Sequence, residues 1–282
     1  MLDLAYWGFR HWPFERTYAA DRFFSSAIHE EAFARLLFLV EEHRRSGIVI
    51  GPGGTGKTYL LKLLQQRAER MGRLAVRCDA TGFDGHELIA QIAIGCRVAC
   101  EPDATPARVW SGLNARLAAL NVIQQSVVII IDHFDLVDFR CQQAICRLRQ
   151  IADSIGVNLT LIVATRDRSV PTVLQDVLEL RIELPAWDAT ETEQFIKAAI
   201  ISAGSAEMLF TDEALTTVYE LTKGFPASII SLCNLSLLAA MARGVTLITS
   251  EVVEAASGEL NLRSPGYRPM PRLPDQHAVS QY

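Results

Sequence analysis

The eight residues Gly51-Pro52-Gly53-Gly54-Thr55-Gly56-Lys57-Thr58 constrain this chain more than any other stretch. They fit the pattern G-x-x-x-x-G-K-[ST] in full, and that pattern works only between a strand and a helix. Both neighbours are present. "GIVIG" precedes the turn as a short apolar strand, and a helical pattern runs from Lys57 to about Met71. Glycines at these positions let backbone N–H groups turn inward around a phosphate with no side chain in the way. Lys57 brings a flexible charge to the β- and γ-phosphates, and the Thr58 hydroxyl suits magnesium. The positive end of the following helix faces the same anion. The expected nucleotide contacts are therefore Gly51, Pro52, Gly53, Gly54, Thr55, Gly56, Lys57, Thr58 and Tyr59, and a nucleoside triphosphate with Mg2+ is the expected ligand.

Such a turn needs a sheet to carry it. "RLAVRCD", "VVIII", "LTLIVAT" and "LRIEL" read as further strands, separated by helical patterns near 85–96, 106–121 and 139–155. "VVIII" is apolar throughout, as a strand buried on both faces of a parallel sheet should be. Strands alternating with helices over 47–185 predict an α/β fold: a P-loop NTPase core whose parallel sheet is covered by helices on both faces. Asp132 ends the third strand, at the carboxyl end where ligands of such sheets gather, and is the expected second magnesium partner beside Thr58.

Ahead of the core, residues 1–46 hold an aromatic-rich stretch and a helix from about His29 to His43, expected to pack on it. After Pro185 strand signals disappear and helix starts recur: Asp188 with Glu191, Thr211 before "DEAL", and Ser250 before "EVVEAA". Residues 186–258 are expected to form a small all-helical lid. The proline-rich, aperiodic stretch 259–282 reads as a disordered tail.

Composition narrows the partners. A net charge of −5 gives no general basic surface for nucleic acid. The six cysteines form no C-x-x-C pair, which predicts buried thiols in a reducing cytoplasm. No segment reaches the ~18–20 apolar residues of a bilayer span, the best being Ile229 to Ala242. The expectation is a cytoplasmic protein without a membrane segment.

Several motifs in order carry a family likeness. The chain resembles AAA+ ATPases of the ExeA type, named for the general secretion pathway A ATPase and related to transposition ATPases. The likeness rests on "YWGFRHWPFE", on "HEEAFARLLFLVEEHRRSGIVIGPGGTGKT", and on the lid stretches "LFTDEAL", "LTKGFPASIISLCNLSLLAAMARG" and "ITSEVVEAA". The resemblance implies a nucleotide site between core and lid, often completed by a neighbouring subunit in a ring or filament. By the same resemblance Thr165 senses the γ-phosphate, and Arg181 reaches a neighbour's γ-phosphate in a homo-oligomer.

Two positions depart from the family pattern. His133 stands where a water-activating glutamate is usual, and Ala227 stands where the lid usually supplies an arginine. Imidazole can accept a proton near neutral pH but lacks the negative charge of a carboxylate. Losing the arginine removes a cation from the phosphoryl-transfer site. The expectation is ATP binding with slow or partner-dependent hydrolysis by Lys57, Asp132, His133, Thr165 and Arg181. Two rivals stand beside it. One is a nucleotide-gated scaffold without turnover, the other a DNA-associated regulator of the transposition type, which the acidic balance disfavours. The protein partner stays open.

Overall fold

The computed structural model describes residues 4–15, 26–101, 103–166, 178–205 and 207–259. Five strands form one sheet: β1 (Ser46–Ile50), β2 (Leu74–Asp79), β3 (Val127–Asp132), β4 (Leu159–Thr165) and β5 (Leu180–Glu183). They lie in the order β2-β3-β4-β1-β5, and every pair is parallel. This is the α/β core that the sequence predicts. β1, β3 and β4 are buried at every residue, because helices cover both faces.

The two faces separate along β3 with the period of two that a strand imposes. Val127, Ile129 and Ile131 join one apolar cluster with α4 (Gly85–Gly95), α5 (Pro106–Val122) and α6 (Phe139–Ile155). Val128 and Ile130 join the other, with α2 (Ala27–Glu41) and α3 (Lys57–Arg70). The alternation places Asp132 at the sheet's carboxyl end without spending a core position on it. Asp84 and Glu87 form a capping box at the start of α4. Thr105 precedes Pro106 at the start of α5 as expected, though its hydroxyl makes no cap bond.

Beyond β5 the described residues fold into four helices: α7 (Ala189–Ala203), α8 (Asp212–Thr222), α9 (Pro226–Arg243) and α10 (Ser250–Glu259). Asp188 and Glu191 complete their capping box, and the Thr211 side chain accepts from the Ala214 N–H. Ser250 is the first residue of α10 rather than its cap. The expectation of no bilayer-length segment needs correcting. α9 reaches that length and a mean hydropathy of 1.3 over 18 residues. Its apolar residues serve the lid core instead: Ile229, Leu232, Cys233 and Leu237 are fully buried among α7, α8 and α10.

The described residues of the N-terminal stretch 1–46 divide between core and lid. α2 lies on the sheet, but the aromatic stretch, with α1 (Leu4–Trp7), joins the lid cluster through Trp7, Phe9, Trp12 and Phe14. The reason is local complementarity. Phe14 meets Phe195 and Phe210 at ring-centroid distances of 6.1 and 6.4 Å. Arg10 N–H donates to Ala203 O at 2.7 Å, and Asn234 Nδ2 donates to Phe14 O at 2.9 Å. All six cysteines are free, four of them buried, with Cys100 and Cys146 partly exposed. The tail expected beyond Glu259 lies outside the described residues.

Candidate nucleotide site

The turn between β1 and α3 has the backbone its glycines allow. Gly54 and Gly56 take φ of +85° and +96°, the left-handed region that side chains disfavour. A Cβ on Gly51 would stand 2.3 Å from Leu184 O, and one on Gly56 would stand 2.8 Å from His29 Nε2. The loop is pressed from both sides and open toward a cavity. Lys57 is 7% exposed, and its ammonium donates to Gly51 O at 2.6 Å and Pro52 O at 2.9 Å. Burial pushes its pKa down to about 8. The Arg166 charge adds to the fall, and Asp132 and Asp135 partly oppose it.

A cavity of about 440 Å3 opens over this turn. Gly53, Gly54, Gly56, Lys57, Thr58 and Tyr59 form its polar floor, with His133 and Arg166 beside them. Trp12, Pro13, Phe14, Phe195, Ala199 and Ile230 form an apolar wall contributed by the N-terminal stretch and the lid. The volume and the split lining suit a ligand with a flat apolar part and a charged tail.

Asp132, the last residue of β3, is 1% exposed. Its Oδ1 accepts from the His133 N–H at 3.0 Å, whereas its Oδ2 is buried with no hydrogen-bond partner. A buried carboxylate oxygen left without a donor is costly, and a hard cation shared with the Thr58 hydroxyl would satisfy it. The residues present therefore fit magnesium.

His133 takes the left-handed conformation, φ +56°. Its Nδ1–H donates to Asp79 Oδ1 at 3.0 Å, which leaves the Nε2 lone pair free of that bond. Asp79 ends β2 directly opposite Asp132 in the parallel register. Burial raises the Asp79 pKa, but hydrogen bonds from Thr81 and His133 outweigh this and hold the carboxyl below the usual range. Asp135, the other acid of this segment, turns to Arg166: its Oδ1 accepts the Arg166 backbone N–H at 3.0 Å.

Thr165 ends β4 opposite Ile50, buried, and its carbonyl accepts the Gly51 N–H at 3.2 Å. The next residue, Arg166, faces the cavity. Arg181 is not brought to this site. It lies on the edge strand β5, paired with Glu183 at 3.0 Å and about 40% exposed. In the lid, the Ala227 N–H donates to Gly54 O at 3.1 Å, so this position clamps the loop with its backbone.

Sequence reasoning missed His29 and Trp187. The indole Nε1–H of Trp187 can only donate, and it meets His29 Nδ1 at 3.2 Å. Nδ1 is therefore the acceptor, and Nε2 carries the hydrogen that donates to Thr55 O at 2.9 Å. Burial lowers the His29 pKa, against a smaller rise from the Thr55 bond. Neutral His29 thus ties the lid entrance to the phosphate loop. No motif announced it. Asp79 had a signal: "RLAVRCD" and "VVIIID" both end in aspartate, and adjacent parallel strands bring such ends together.

Comparison with known proteins agrees with this geometry. Residues 40–169 match the AAA domain. General secretion pathway protein A of Aeromonas hydrophila is 23% identical over 265 residues, covering 91% of this chain and 48% of that protein. The chain thus spans about half the length of that relative. Cdc6p from Pyrobaculum aerophilum is similar in structure, with a TM-score of 0.72 and 18% identity over 88% of this chain and 70% of that one. The Aeropyrum pernix Orc1 protein, solved in complex with DNA, gives 0.69 and 18% over 89% and 69%. The chain thus carries an AAA domain over residues 40–169, on a five-stranded parallel core with a helical lid behind it, and over most of its length it is similar to an ATPase of the ExeA type.

Proposed function

We propose that this protein binds ATP with magnesium between core and lid, and couples the nucleotide state to assembly or to partner binding. The observation that carries the reading is the cavity lined by glycines, Lys57 and Thr58 on one side and by Trp12, Phe14 and Ile230 on the other. The base lies on the apolar wall and the phosphates lie over Gly53 to Thr58. Thr58 and Asp132 are the residues that would hold a magnesium ion, which would supply positive charge to the phosphates when bound.

Turnover in this reading is slow or needs a partner. Asp79 orients the His133 ring, so Nε2 can take a proton from water, but a neutral imidazole brings no negative charge to the metal side. Ala227 gives the loop a backbone N–H where a cationic side chain would stabilise developing charge. Arg181 acts on a neighbouring subunit in a ring or filament in this reading, which its exposure on the sheet edge, outside its own cavity, supports. The protein works in the cytoplasm.

The second reading is a nucleotide-gated scaffold without turnover. The bond from Ala227 to Gly54 and the chain Trp187–His29–Thr55 favour it, since both join the lid to the loop. Binding of DNA is not favoured by a net charge of −5. Isothermal calorimetry with ATP and magnesium tests the binding, with Lys57→Ala as control. Phosphate release by the purified chain separates the two readings. Heat of binding without phosphate release favours the scaffold, and rapid release by the isolated chain overturns slow turnover. No heat in the wild type overturns the site itself.

A further inference from the structure

We propose that Asn234 is a positioning residue for the base end of the nucleotide. Its carboxamide brackets the tripeptide Trp12-Pro13-Phe14 and holds it as the wall against which the base lies; this deepens the nucleotide reading above and rests on it. Trp12, Pro13 and Phe14 all line the cavity. The indole Nε1–H of Trp12 donates to Asn234 Oδ1, and Asn234 Nδ2 donates to Phe14 O at 2.9 Å. One side chain thus grips both ends of a tripeptide that stands 222 and 220 residues away in sequence. Between those ends Pro13 fixes its own φ, which leaves the bracketed backbone little freedom.

The chemistry admits few other side chains at this position. The Trp12 indole can only donate and the Phe14 carbonyl can only accept, so the group between them must present an acceptor and a donor at once. A carboxamide does both in a single plane. A carboxylate would turn a lone pair toward the Phe14 carbonyl, and an aliphatic side chain would leave both groups without a partner. The ring contacts are less selective. Phe14 packs on Phe195 and Phe210, and Trp12 meets Phe9 edge-on with ring centroids 6.1 Å apart. Apolar burial is non-directional, and the two hydrogen bonds select one orientation.

Helix α9 links this wall to the phosphate loop. Ala227, Ile230 and Asn234 recur at i, i+3 and i+7, along one face of the helix. The Ala227 N–H holds Gly54 O at 3.1 Å, Ile230 lines the cavity, and Asn234 holds the wall. Seven residues of helix rise ~10 Å, so a single rigid element sets the spacing between the loop that takes the phosphates and the wall that takes the base. A ligand with both ends gains from that spacing, and a bare phosphate chain does not.

Calorimetry on the full chain with a non-hydrolysable ATP analogue and with inorganic tripolyphosphate, both with magnesium, tests this. Tripolyphosphate carries the phosphate chain without the base. Asn234→Leu should weaken the analogue by roughly 10-fold, as loss of a preorganised contact surface predicts, and tripolyphosphate by less than about twofold. Asn234→Asp has nearly the same shape but no donor for Phe14 O, and should weaken the analogue by about threefold or more while sparing tripolyphosphate. It decides the question by the same criterion if the leucine variant does not fold. Asn234→Gln, the same carboxamide on a longer stem, should recover part of the loss. A lid that merely loosens would weaken both ligands alike, so equal weakening overturns the proposal, as does unchanged affinity for the analogue. A wild-type chain that binds the analogue no more tightly than tripolyphosphate overturns it too, while the phosphate loop stands. Lys57→Ala should lose both ligands, and a wild type that binds neither overturns the nucleotide reading as well.

Discussion

Gly224→Ala puts the joint between lid and core under a test with a magnitude set by the structure. Gly224 has φ +74°, and a Cβ there would lie 1.8 Å from Trp187 O and 2.8 Å from its carbonyl carbon. Both obstacles are backbone, so no rotamer change relieves them. The left-handed conformation alone costs a non-glycine residue ~1–2 kcal/mol. Moving Trp187 away breaks its N–H bond to Gly224 O, 2.9 Å long, at a further ~1 kcal/mol. It also disturbs the buried contact of the Trp187 ring with Phe195, at 5.0 Å. The expected loss is at least ~3 kcal/mol. Gly244→Ala is the matched control. Gly244 has a similar φ of +69° with no atom within 4 Å of the added Cβ, so it carries only the conformational cost. At roughly 2–4 °C per kcal/mol for a chain of this size, the cost beyond that of Gly244→Ala, at least ~1 kcal/mol, should appear in calorimetry as Gly224→Ala melting at least ~2 °C below Gly244→Ala. ATP affinity should fall only in Gly224→Ala, because Ala227, three residues on, holds Gly54. Melting points within a degree of each other, with ATP affinity retained, would mean that the joint yields without cost and would refute this account.

Two further outcomes follow from the site. His29 has a pKa below the usual 6.5, so in acid the unfolded chain binds a proton that the folded chain resists. The stability His29 contributes is complete above pH 6.5 and falls as pH drops toward its folded pKa. Denaturant titrations from pH 7.5 to 5 should show that slope, and His29→Gln should flatten it. Saturating ATP with magnesium, at ~100 times its dissociation constant, should add ~2.7 kcal/mol to wild-type stability. Lys57→Ala should abolish the increment, and Asp132→Asn should remove the part that chelating magnesium removes from the wild type; thermal melts with and without chelator measure both.

The local signals of this chain were readable because they are short-range. The phosphate turn is fixed by glycine conformations and by the order strand, loop, helix, all within residues 46–70. The apolar run ending in Asp132 fixes a buried strand and its acidic end for the same reason. The capping box of Asp188 and Glu191 marks a helix start three residues at a time. Backbone geometry and burial of neighbouring side chains suffice for each.

The tertiary structure decided the rest. Residues 1–15 carry the aromatic rings that a core needs, but only packing set them against the lid and across the mouth of the cavity. Four long-range encounters define the site's chemistry: Asp79 with His133, His29 with Trp187, Asp135 with Arg166, and Ala227 with Gly54. In sequence the partners in the first three of these stand 54, 158 and 31 residues apart. Periodicity reports which face of an element is buried, and says nothing of which element lies opposite. The sequence therefore determined that a glycine-rich turn between strand and helix exists and what backs it. Strand order and lid docking determined which side chains surround it, because those contacts form only when distant segments are brought to the same end of the sheet.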